Sequence, residues 1–413
     1  MLHFILGHDW TINHREIMRL IAKDVENRNE NRILIVPELI THETERELCS
    51  VAGDTASRYA EILSFTRLTR RVSDDIGTPV PDCLDEGGRV VAMAAAARQL
   101  SSQLKAYASV ETKPDFLTEL IDAIDEFKRC CISSMDLQKA SRQTSGSLAQ
   151  KLEELSLLMQ SYDALCTQGK LDPRDKMTWL LEQLENSTFA QEHTFYIDGF
   201  PDFTRQNIAI LEYLIQYSPD VTVSFNCDAI GSERLAFEKA GATAQELYRW
   251  AKRAGVEVDV QTITKVDRPL RIMRERLFQG PIMKGAEKDR LRTFHADSRY
   301  NAVLHAVQAV RDMVASGCRY RDISLIVADM GQYSSIIDLV FERFHIPVYR
   351  AGTEEILSKS VIATVLSALE AALSDFDPKL MLRYLRSALS PLSPDECDLL
   401  ENYVYMWGIR GQK

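Results

Sequence analysis

One stretch of the chain carries an acidic residue in a place where it could hold a metal ion. Residues 195–197 form an apolar run typical of a strand, Asp198 stands at its carboxyl end, and Gly199 follows directly. A helix is predicted to begin near Thr204 and to carry Gln206. In enzymes that hydrolyse nucleoside triphosphates, such an Asp holds Mg²⁺ and a following Glu orients the attacking water. Because Gly199 cannot do that, the pattern fits either a nucleotide site without its catalytic group or a plain strand, turn and helix.

The first strand–turn–helix lies where a phosphate-binding loop is expected. Such a loop needs glycines for close backbone approach, a Lys for the phosphate charge and a Ser or Thr hydroxyl for Mg²⁺. Only Gly7 fits, because Asn13 stands in the position of the Lys and His14 in the position of the hydroxyl. Trp10 is bulky and Asp9 would repel phosphate. The sequence therefore favours a turn without a ligand and argues against ATP binding.

A third segment, residues 64–72, follows a predicted buried strand and combines Phe65 with Arg67, Arg70 and Arg71. Cations that hold phosphates, together with flat groups that stack on bases, are typical of proteins that bind single-stranded nucleic acid. A basic helix surface facing solvent has the same composition. Taken alone, the segment leaves both interpretations open.

Metal chemistry is not indicated by the His and Cys residues. His42 and Glu43 begin a sequence close to the zinc motif HExxH, but Arg46 replaces the second His, so the two ligands on one helix face are missing. The eight cysteines never occur in a CxxC spacing, so the sequence predicts neither a metal site nor a disulfide framework. Reduced thiols are the simplest interpretation.

Composition limits the class of protein. The chain has 413 residues, of which 45% are hydrophobic and 26% charged, and this length predicts two or three globular domains. A net charge of −11 excludes a uniformly basic nucleic-acid coat but leaves room for local basic patches. No apolar run approaches the ~20 residues of a membrane helix, and the first residues do not form a signal peptide. We therefore expect a cytoplasmic protein without a membrane anchor.

Strands and helices alternate in the parts of the chain that must position these residues. In residues 1–84 the apolar runs predict strands at 3–6, 32–36 and 62–65 and helices at 13–25 and 41–51. From 85 to 186 only helical spacing remains, which predicts an all-helical insertion. The α/β alternation returns in residues 187–280, so that 1–84 and 187–280 form one predicted parallel-sheet domain.

The remainder of the chain predicts a second α/β domain and further helices. In residues 281–374 the expected strands are 293–295, 323–328 and 347–349, and the expected helices are 299–314, 333–343 and 360–373. A basic connection at 265–292, with nine Lys or Arg against four Asp or Glu, links the two domains. Residues 375–413 are interpreted as the truncated start of a further helical domain. The predicted fold is thus α/β, with two parallel-sheet domains and an all-helical insertion in the first.

Several segments together resemble the B subunit of the bacterial helicase–nucleases of the AddAB type, over essentially all 413 residues. The most specific are IDGFPDFTRQ from Ile197 and LENYV with GIRG at 400–411; SFTRLTRRV at 64–72, residues 33–45 and residues 319–323 support them. The resemblance implies two RecA-like domains of superfamily-1 helicase type whose motor no longer works. This chain would be the N-terminal part of such a polypeptide.

The resemblance also implies a function. In that family the A subunit drives unwinding, and the helicase-like part of the B subunit holds the 3′-ended single strand and scans it for a Chi-type hotspot. Strand-facing segments of relatives correspond to the positions of Thr44, Arg67, Arg70, Phe200 and Phe203. The complex is a heterodimer that acts at duplex DNA ends in double-strand-break repair by homologous recombination.

Further implications concern what this chain lacks. A degenerate nucleotide site is expected at the positions discussed above, namely Gly7, Asn13, His14, Asp198, Gly199 and Gln206. The nuclease domain and iron–sulfur cluster of the family lie beyond residue 413, so we expect no catalytic residue, metal or cofactor here. Two alternatives stay open: a nucleotide hydrolase with an unusual phosphate loop, and a scaffold that binds the partner subunit without DNA.

Overall fold

The structure is a computed structural model, and it describes residues 1–108, 113–167, 169–263, 291–350, 356–387, 389–409 and 411. The chain divides into two compact units, Met1–Arg292 and Thr293–Lys413. The predicted basic connection at 265–292 falls almost entirely outside the described residues. Among the described residues, no helix has both the length and the apolar character that crossing a bilayer requires.

A parallel sheet forms the centre of the first unit, as the sequence predicts. Its described strands are β1 (Leu2–Gly7), β2 (Arg32–Ile35), β3 (Ala60–Leu63), β4 (Thr194–Ile197), β5 (Val221–Phe225) and β6 (Val258–Ile263). They lie in the order β3-β2-β4-β5-β1-β6, and every pair is parallel. The inner strands β4 and β5 are buried along their whole length, because helices cover both faces of a sheet of this kind.

Helices cover the two faces of this sheet. The described α-helices of the first unit are α1 (Trp10–Glu26), α2 (Thr41–Ala52), α3 (Phe65–Ile76), α4 (Glu86–Gln99), α5 (Pro114–Arg129), α6 (Ser134–Gln143), α7 (Gly146–Thr167), α8 (Lys176–Glu185), α9 (Phe189–Glu192), α10 (Arg205–Tyr217) and α11 (Glu238–Arg253). Successive residues of a strand face opposite sides. Ile5 therefore packs against α1 and α2, whereas Phe4 and Leu6 pack in the core that α3, α8, α10 and α11 complete.

Helices α4 to α7 share a hydrophobic core of their own. Met93, Leu120, Ile124 and Leu158 are among its buried residues. The described residues between 85 and 186 contain no strand; only an isolated bridge joins Leu171 to Cys83. Helix α8 differs from its neighbours, since its two buried leucines, four residues apart on one face, belong to the core of the sheet.

Most predicted elements of the first unit are observed, with two differences. Phe65 was expected at the end of a strand but begins α3, because the Ser64 side chain accepts a hydrogen bond from the Arg67 amide and caps the helix. Strand β6 was not predicted. Its sequence, VDVQTI, lacks the apolar run that predicts the inner strands, and four of its six residues are exposed.

The second unit departs further from the prediction. Its described α-helices are α12 (Arg299–Ala315), α13 (Met330–Arg343), α14 (Ser360–Leu373), α15 (Pro378–Leu385) and α16 (Pro394–Trp407). The three predicted helices are confirmed, but the described part of this unit contains no β-strand, so the strands expected at 293–295, 323–328 and 347–349 are wrong there. Ile326 and Tyr349 are each 92% exposed. Strand propensity alone cannot form a strand, because the backbone groups also need a neighbouring strand.

Candidate functional site

The turn between β1 and α1 lies at the carboxyl end of the sheet, where α/β proteins usually bind ligands. The N-terminus of a helix in such a turn is a natural anion site. Here it already has an anion of the protein's own, because the Asp9 carboxylate accepts a hydrogen bond from the Thr11 amide at 3.0 Å. A phosphate in this place would meet the negative charge of Asp9.

Asn13 fills the space beside Gly7. Its buried amide nitrogen donates to the Phe225 carbonyl oxygen at 3.0 Å and lies 3.1 Å from Oδ1 of Asn226. It also lies 3.4 Å from the Gly7 carbonyl oxygen, and a β-carbon on Gly7 would overlap Oδ1 of Asn13. Asn13 therefore joins the ends of two strands, and it brings no positive charge for a phosphate.

His14 and Asp198 form a buried ion pair next to this turn. Nδ1 of His14 lies 2.5 Å from Oδ2 of Asp198, and its Nε2 lies 3.2 Å from Oε2 of Glu47. Asp198 is fully buried, and its Oδ1 accepts a hydrogen bond from the hydroxyl of Ser224. Its amide donates to the Ile35 carbonyl oxygen at 3.0 Å. Each imidazole nitrogen thus faces a carboxylate, an arrangement that suits the doubly protonated, cationic ring.

The pKa of His14 follows from two opposing effects. Burial disfavours the imidazolium and by itself lowers the pKa. The hydrogen bond and charge of Asp198, with a further contribution from Glu47, outweigh burial and raise the pKa of His14 above its ordinary value of 6.5. A cation of the protein's own therefore neutralises the carboxylate that would hold Mg²⁺ in a nucleotide hydrolase.

Both the backbone conformation of Gly199 and its close neighbours disfavour a larger residue. Its φ is +80°, and an added β-carbon would lie 3.1 Å from Cδ1 of Ile40, 3.3 Å from Cδ of Pro37 and 3.4 Å from Nε1 of Trp10. The Trp10 ring also stacks on His14, with centroids 5.3 Å apart. A Glu at this position would need both a strained backbone and the displacement of these three neighbours.

Gln206 does not join this group of residues. Its amide nitrogen donates to the Arg174 carbonyl oxygen at 2.9 Å and lies 3.3 Å from the Thr178 hydroxyl. The buried side chain therefore attaches α10 to the start of α8. Of the six residues expected in a degenerate nucleotide site, the structure brings together five and uses Gln206 elsewhere.

Three of the residues expected to face a DNA strand are packed into the protein. Thr44 is buried, and its hydroxyl donates to the Ile40 carbonyl oxygen at 2.8 Å. Phe200 and Phe203 are half-buried, with ring centroids 5.0 Å apart, and they pack on the core of the sheet. Phe200 also lies 5.5 Å from the Phe65 ring. Thr44 is thus a structural residue in this arrangement, whereas the two phenylalanines keep part of their surface open to a ligand.

The arginines of α3 have different surroundings. Nη1 of Arg67 lies 3.1 Å from Oε1 of Glu45. Arg71 is held by the Glu61 carboxylate, with its Nε 3.0 and 3.1 Å from the two oxygens. Arg70 is exposed. Only some of the positive charge predicted for this segment is therefore directly available to a phosphate.

Sequence reasoning missed the residues that complete the His14 site. Glu47 is one of several glutamates on α2, and nothing in its spacing distinguishes it from the others. Ser224 did give a signal, since it is a hydroxyl in the otherwise apolar end of the run VTVSF. It lies on β5, between β1 and β4 in the sheet, and can therefore reach a carboxylate at the end of β4.

Magnesium and a nucleoside triphosphate, which a fold of this kind commonly binds, do not fit these residues. The Lys and hydroxyl that such a ligand needs are absent, and Asp198 is already paired with His14. All eight cysteines are free, and the described residues contain no group of three or more His, Cys, Asp or Glu that could hold a metal ion.

A parallel sheet covered by helices, with a strand–turn–helix at the phosphate position and an Asp at the end of β4, defines an α/β protein of the RecA-like class. The chain belongs to the family described as ADDB, N-terminal, whose model matches residues 4–277.

Similar proteins are named as the B subunit of an ATP-dependent helicase/deoxyribonuclease. One from Alkaliphilus metalliredigens is 27% identical over 410 residues, covering 95% of this chain and 35% of the relative. Another, from Clostridium acetobutylicum, is 24% identical over 429 aligned positions, covering 100% of this chain and 37% of the relative. The chain therefore spans little more than a third of the length of these relatives.

Proposed function

We propose that this chain is the helicase-like, non-motor part of a helicase–nuclease complex that repairs double-strand breaks by homologous recombination. It binds the 3′-ended single strand and scans it for a Chi-type hotspot. Its partner is an AddA-type subunit, with which it forms a heterodimer at duplex DNA ends in the cytoplasm. The chain has no ATPase, helicase or nuclease activity of its own.

The observation that carries the non-motor role is the ion pair between His14 and Asp198, in a chain whose relatives are named as helicase subunits. A motor needs this carboxylate for a metal ion that bridges the phosphates. Here the imidazolium supplies the compensating charge without a nucleotide. The half-buried Phe200 and Phe203 and the exposed Arg70 support a strand-binding role, because stacking and phosphate contacts are sequence-tolerant means of holding a single strand.

Two binding measurements on this chain test the proposal. We expect no change in melting temperature with millimolar Mg²⁺–ATP, because a ligand stabilises only a protein that binds it. We expect labelled single-stranded DNA to bind in fluorescence anisotropy, more weakly at higher salt, and to bind less in the double variant Arg67→Ala/Phe203→Ala.

The alternatives predict other outcomes. Stabilisation by Mg²⁺–ATP would favour the nucleotide hydrolase and count against the non-motor role. DNA binding that is absent at low salt, and still absent when the partner subunit is added, would leave a scaffold as the better interpretation. Measurable ATP turnover by the single variant Gly199→Glu would also contradict the proposal, since Asn13 and His14 would remain unchanged.

A further inference from the structure

Two carboxylates and a histidine ring lie close to the guanidinium of Arg67. Its Nη1 donates to Oε1 of Glu45 at 3.1 Å, and its Nε lies 3.8 Å from Oε1 of Glu38. Its Nη2 lies 3.4 Å from Nε2 of His42, whose Nδ1 lies 3.3 Å from the other carboxylate oxygen of Glu45. We call these four residues, Glu38, His42, Glu45 and Arg67, the Arg67 cluster.

Neighbouring structure holds the Arg67 cluster in place. The buried hydroxyl of Ser64 donates to the Glu38 carboxylate, and the same oxygen caps α3 by accepting the Arg67 amide at 3.2 Å. Glu38 follows the end of β2, and Glu45 lies on α2. The two carboxylates therefore come from segments other than α3, the helix that carries Arg67.

The cluster is nevertheless open to solvent. The side chains of Arg67 and Glu45 are 34% and 42% exposed. A pair at this exposure is weak, because water screens it. A phosphate oxygen can therefore reach the guanidinium, where it meets the negative charge of Glu38 and Glu45.

From this geometry we propose that Glu38 and Glu45 compete with the phosphates of a bound single strand for Arg67. The inference rests on the proposed strand binding and adds a property to it. Each phosphate contact at Arg67 exchanges one ion pair for another, so the contact forms and breaks at little net gain. A contact of this kind holds the strand less tightly than an unpaired arginine would.

The competition has a specific thermodynamic sign. When a cation binds a nucleic acid phosphate, condensed counterions leave the strand, and the affinity falls with salt. Salt also weakens the ion pair that must break when a carboxylate is displaced, which offsets part of this dependence. Arg67 should therefore add less to the salt dependence of the wild-type chain than it does once a competing carboxylate is neutral.

A set of charge-matched variants tests this. We expect Glu45→Gln to bind a labelled single strand about two- to fivefold more tightly, as estimated from the modest strength of an exposed ion pair. The slope of log K against log salt should steepen by up to about 0.7, the contribution of one contact to a single strand, because Glu38 remains charged in this variant. Glu43→Gln is the control, because it removes the same charge from an exposed position of α2 that makes none of the contacts to Arg67.

Arg67→Ala in the Glu45→Gln background must abolish the gain, and Glu38→Gln provides a second, independent test. Thermal melting of each variant shows whether it is folded. Equal tightening by Glu45→Gln and Glu43→Gln would overturn the inference, since the effect would then be general charge. If the wild-type chain binds the strand but neither Glu45→Gln nor Glu38→Gln binds it more tightly, the inference is overturned, whereas the proposed strand binding stands. Absence of binding in every variant at low salt, persisting when the partner subunit is added, would overturn the proposed strand binding itself.

Discussion

Two buried charge networks in the first unit differ in the kind of cation they contain. At the carboxyl end of the sheet, His14 pairs with Asp198 and Glu47. Among the helices α4, α5 and α7, the cations are an arginine and a lysine, Arg89 and Lys128. Each network buries a cation together with a carboxylate, and these buried charges depend on their partners inside the protein.

The helical network joins four segments of chain: α4, α5, the turn before α8, and α7, whose Asp163 lies 2.8 Å from Nζ of Lys128. Arg89 pairs with Asp125 and lies 3.4 Å from Oδ2 of Asp172. The ammonium of Lys128 lies 3.4 Å from that same oxygen and 2.8 Å from Oδ2 of Asp175. Because Asp172 is shared by the two cations, the turn before α8 is tied to both α4 and α5.

The comparison shows how the choice of cation decides whether a buried network responds to pH. Burial by itself lowers the pKa of Lys128, but the surrounding aspartates outweigh it and raise the pKa above the ordinary value of 10.5. The pKa of Arg89 is raised in the same way. These cations stay charged near neutral pH. The imidazolium of His14, whose pKa is raised from an ordinary value of 6.5, is the cation of the two networks whose ordinary pKa lies nearest neutrality. The network at the carboxyl end of the sheet is therefore the more sensitive of the two to pH.

Removing Arg89 from the helical network should have the largest effect. Arg89→Ala takes one cation from two buried carboxylates, Asp125 and Asp172, which keep Arg174 and Lys128 as partners. Breaking a buried ion pair costs about 3–5 kcal/mol. Urea unfolding would measure the loss. Arg98→Ala, an exposed position on the same helix, should change the free energy of unfolding by less than about 0.5 kcal/mol. Similar values for the two variants would mean that the helical network contributes nothing.

Removing the cation at the sheet should cost less. In His14→Ala, Asp198 keeps the hydrogen bond from the Ser224 hydroxyl, so we expect a loss of about 1–3 kcal/mol. Adding Asp198→Asn should restore part of that loss, because it removes the unpaired charge. His42→Ala is the control, since that side chain is 80% exposed. A double variant less stable than His14→Ala would contradict the ion pair.

Gly199→Ala tests the steric closure of the same site. The positive φ should cost about 1–2 kcal/mol for any residue with a β-carbon. Gly77 has a φ of +70° but no atom within 4 Å of an added β-carbon, so Gly77→Ala measures the backbone cost alone. Gly199→Ala should be the less stable of the two in thermal unfolding. Equal losses would show that Trp10, Pro37 and Ile40 do not close the space.

The smallest expected effect is the pH dependence of the unaltered chain. Since the folded pKa of His14 lies above 6.5, its contribution is fully present below pH 6.5 and is lost as pH rises through the folded pKa. One proton limits the slope to about 1.4 kcal/mol per pH unit. Urea unfolding between pH 6 and 9 should show this decline, and His14→Gln should flatten it. Burial lowers the pKa of His193. This residue therefore has the opposite effect and destabilises the folded state as the pH falls below 6.5.

Particular residues show how far sequence reasoning reached. The apolar runs of β1, β2, β4 and β5 predicted a parallel sheet, and Thr204 predicted the start of α10, which its side chain caps. The same reasoning failed for residues 323–328, where an apolar run has no neighbouring strand among the described residues. Local patterns report what a segment can do, and pairing depends on a second segment elsewhere in the chain.

By itself, the sequence determined that Asn13 and His14, and not a Lys and a hydroxyl residue, follow the first strand and that Gly199 follows Asp198. Only the tertiary structure decided what these residues do. His14 and Asp198 are 184 positions apart, and the parallel order of β1, β5 and β4 brings them to one edge with Ser224 between them. The sequence likewise showed three arginines in α3, but the carboxylates that contact Arg67 come from other segments. Charge and residue type are properties of the chain, whereas the partner of each charge is set by packing.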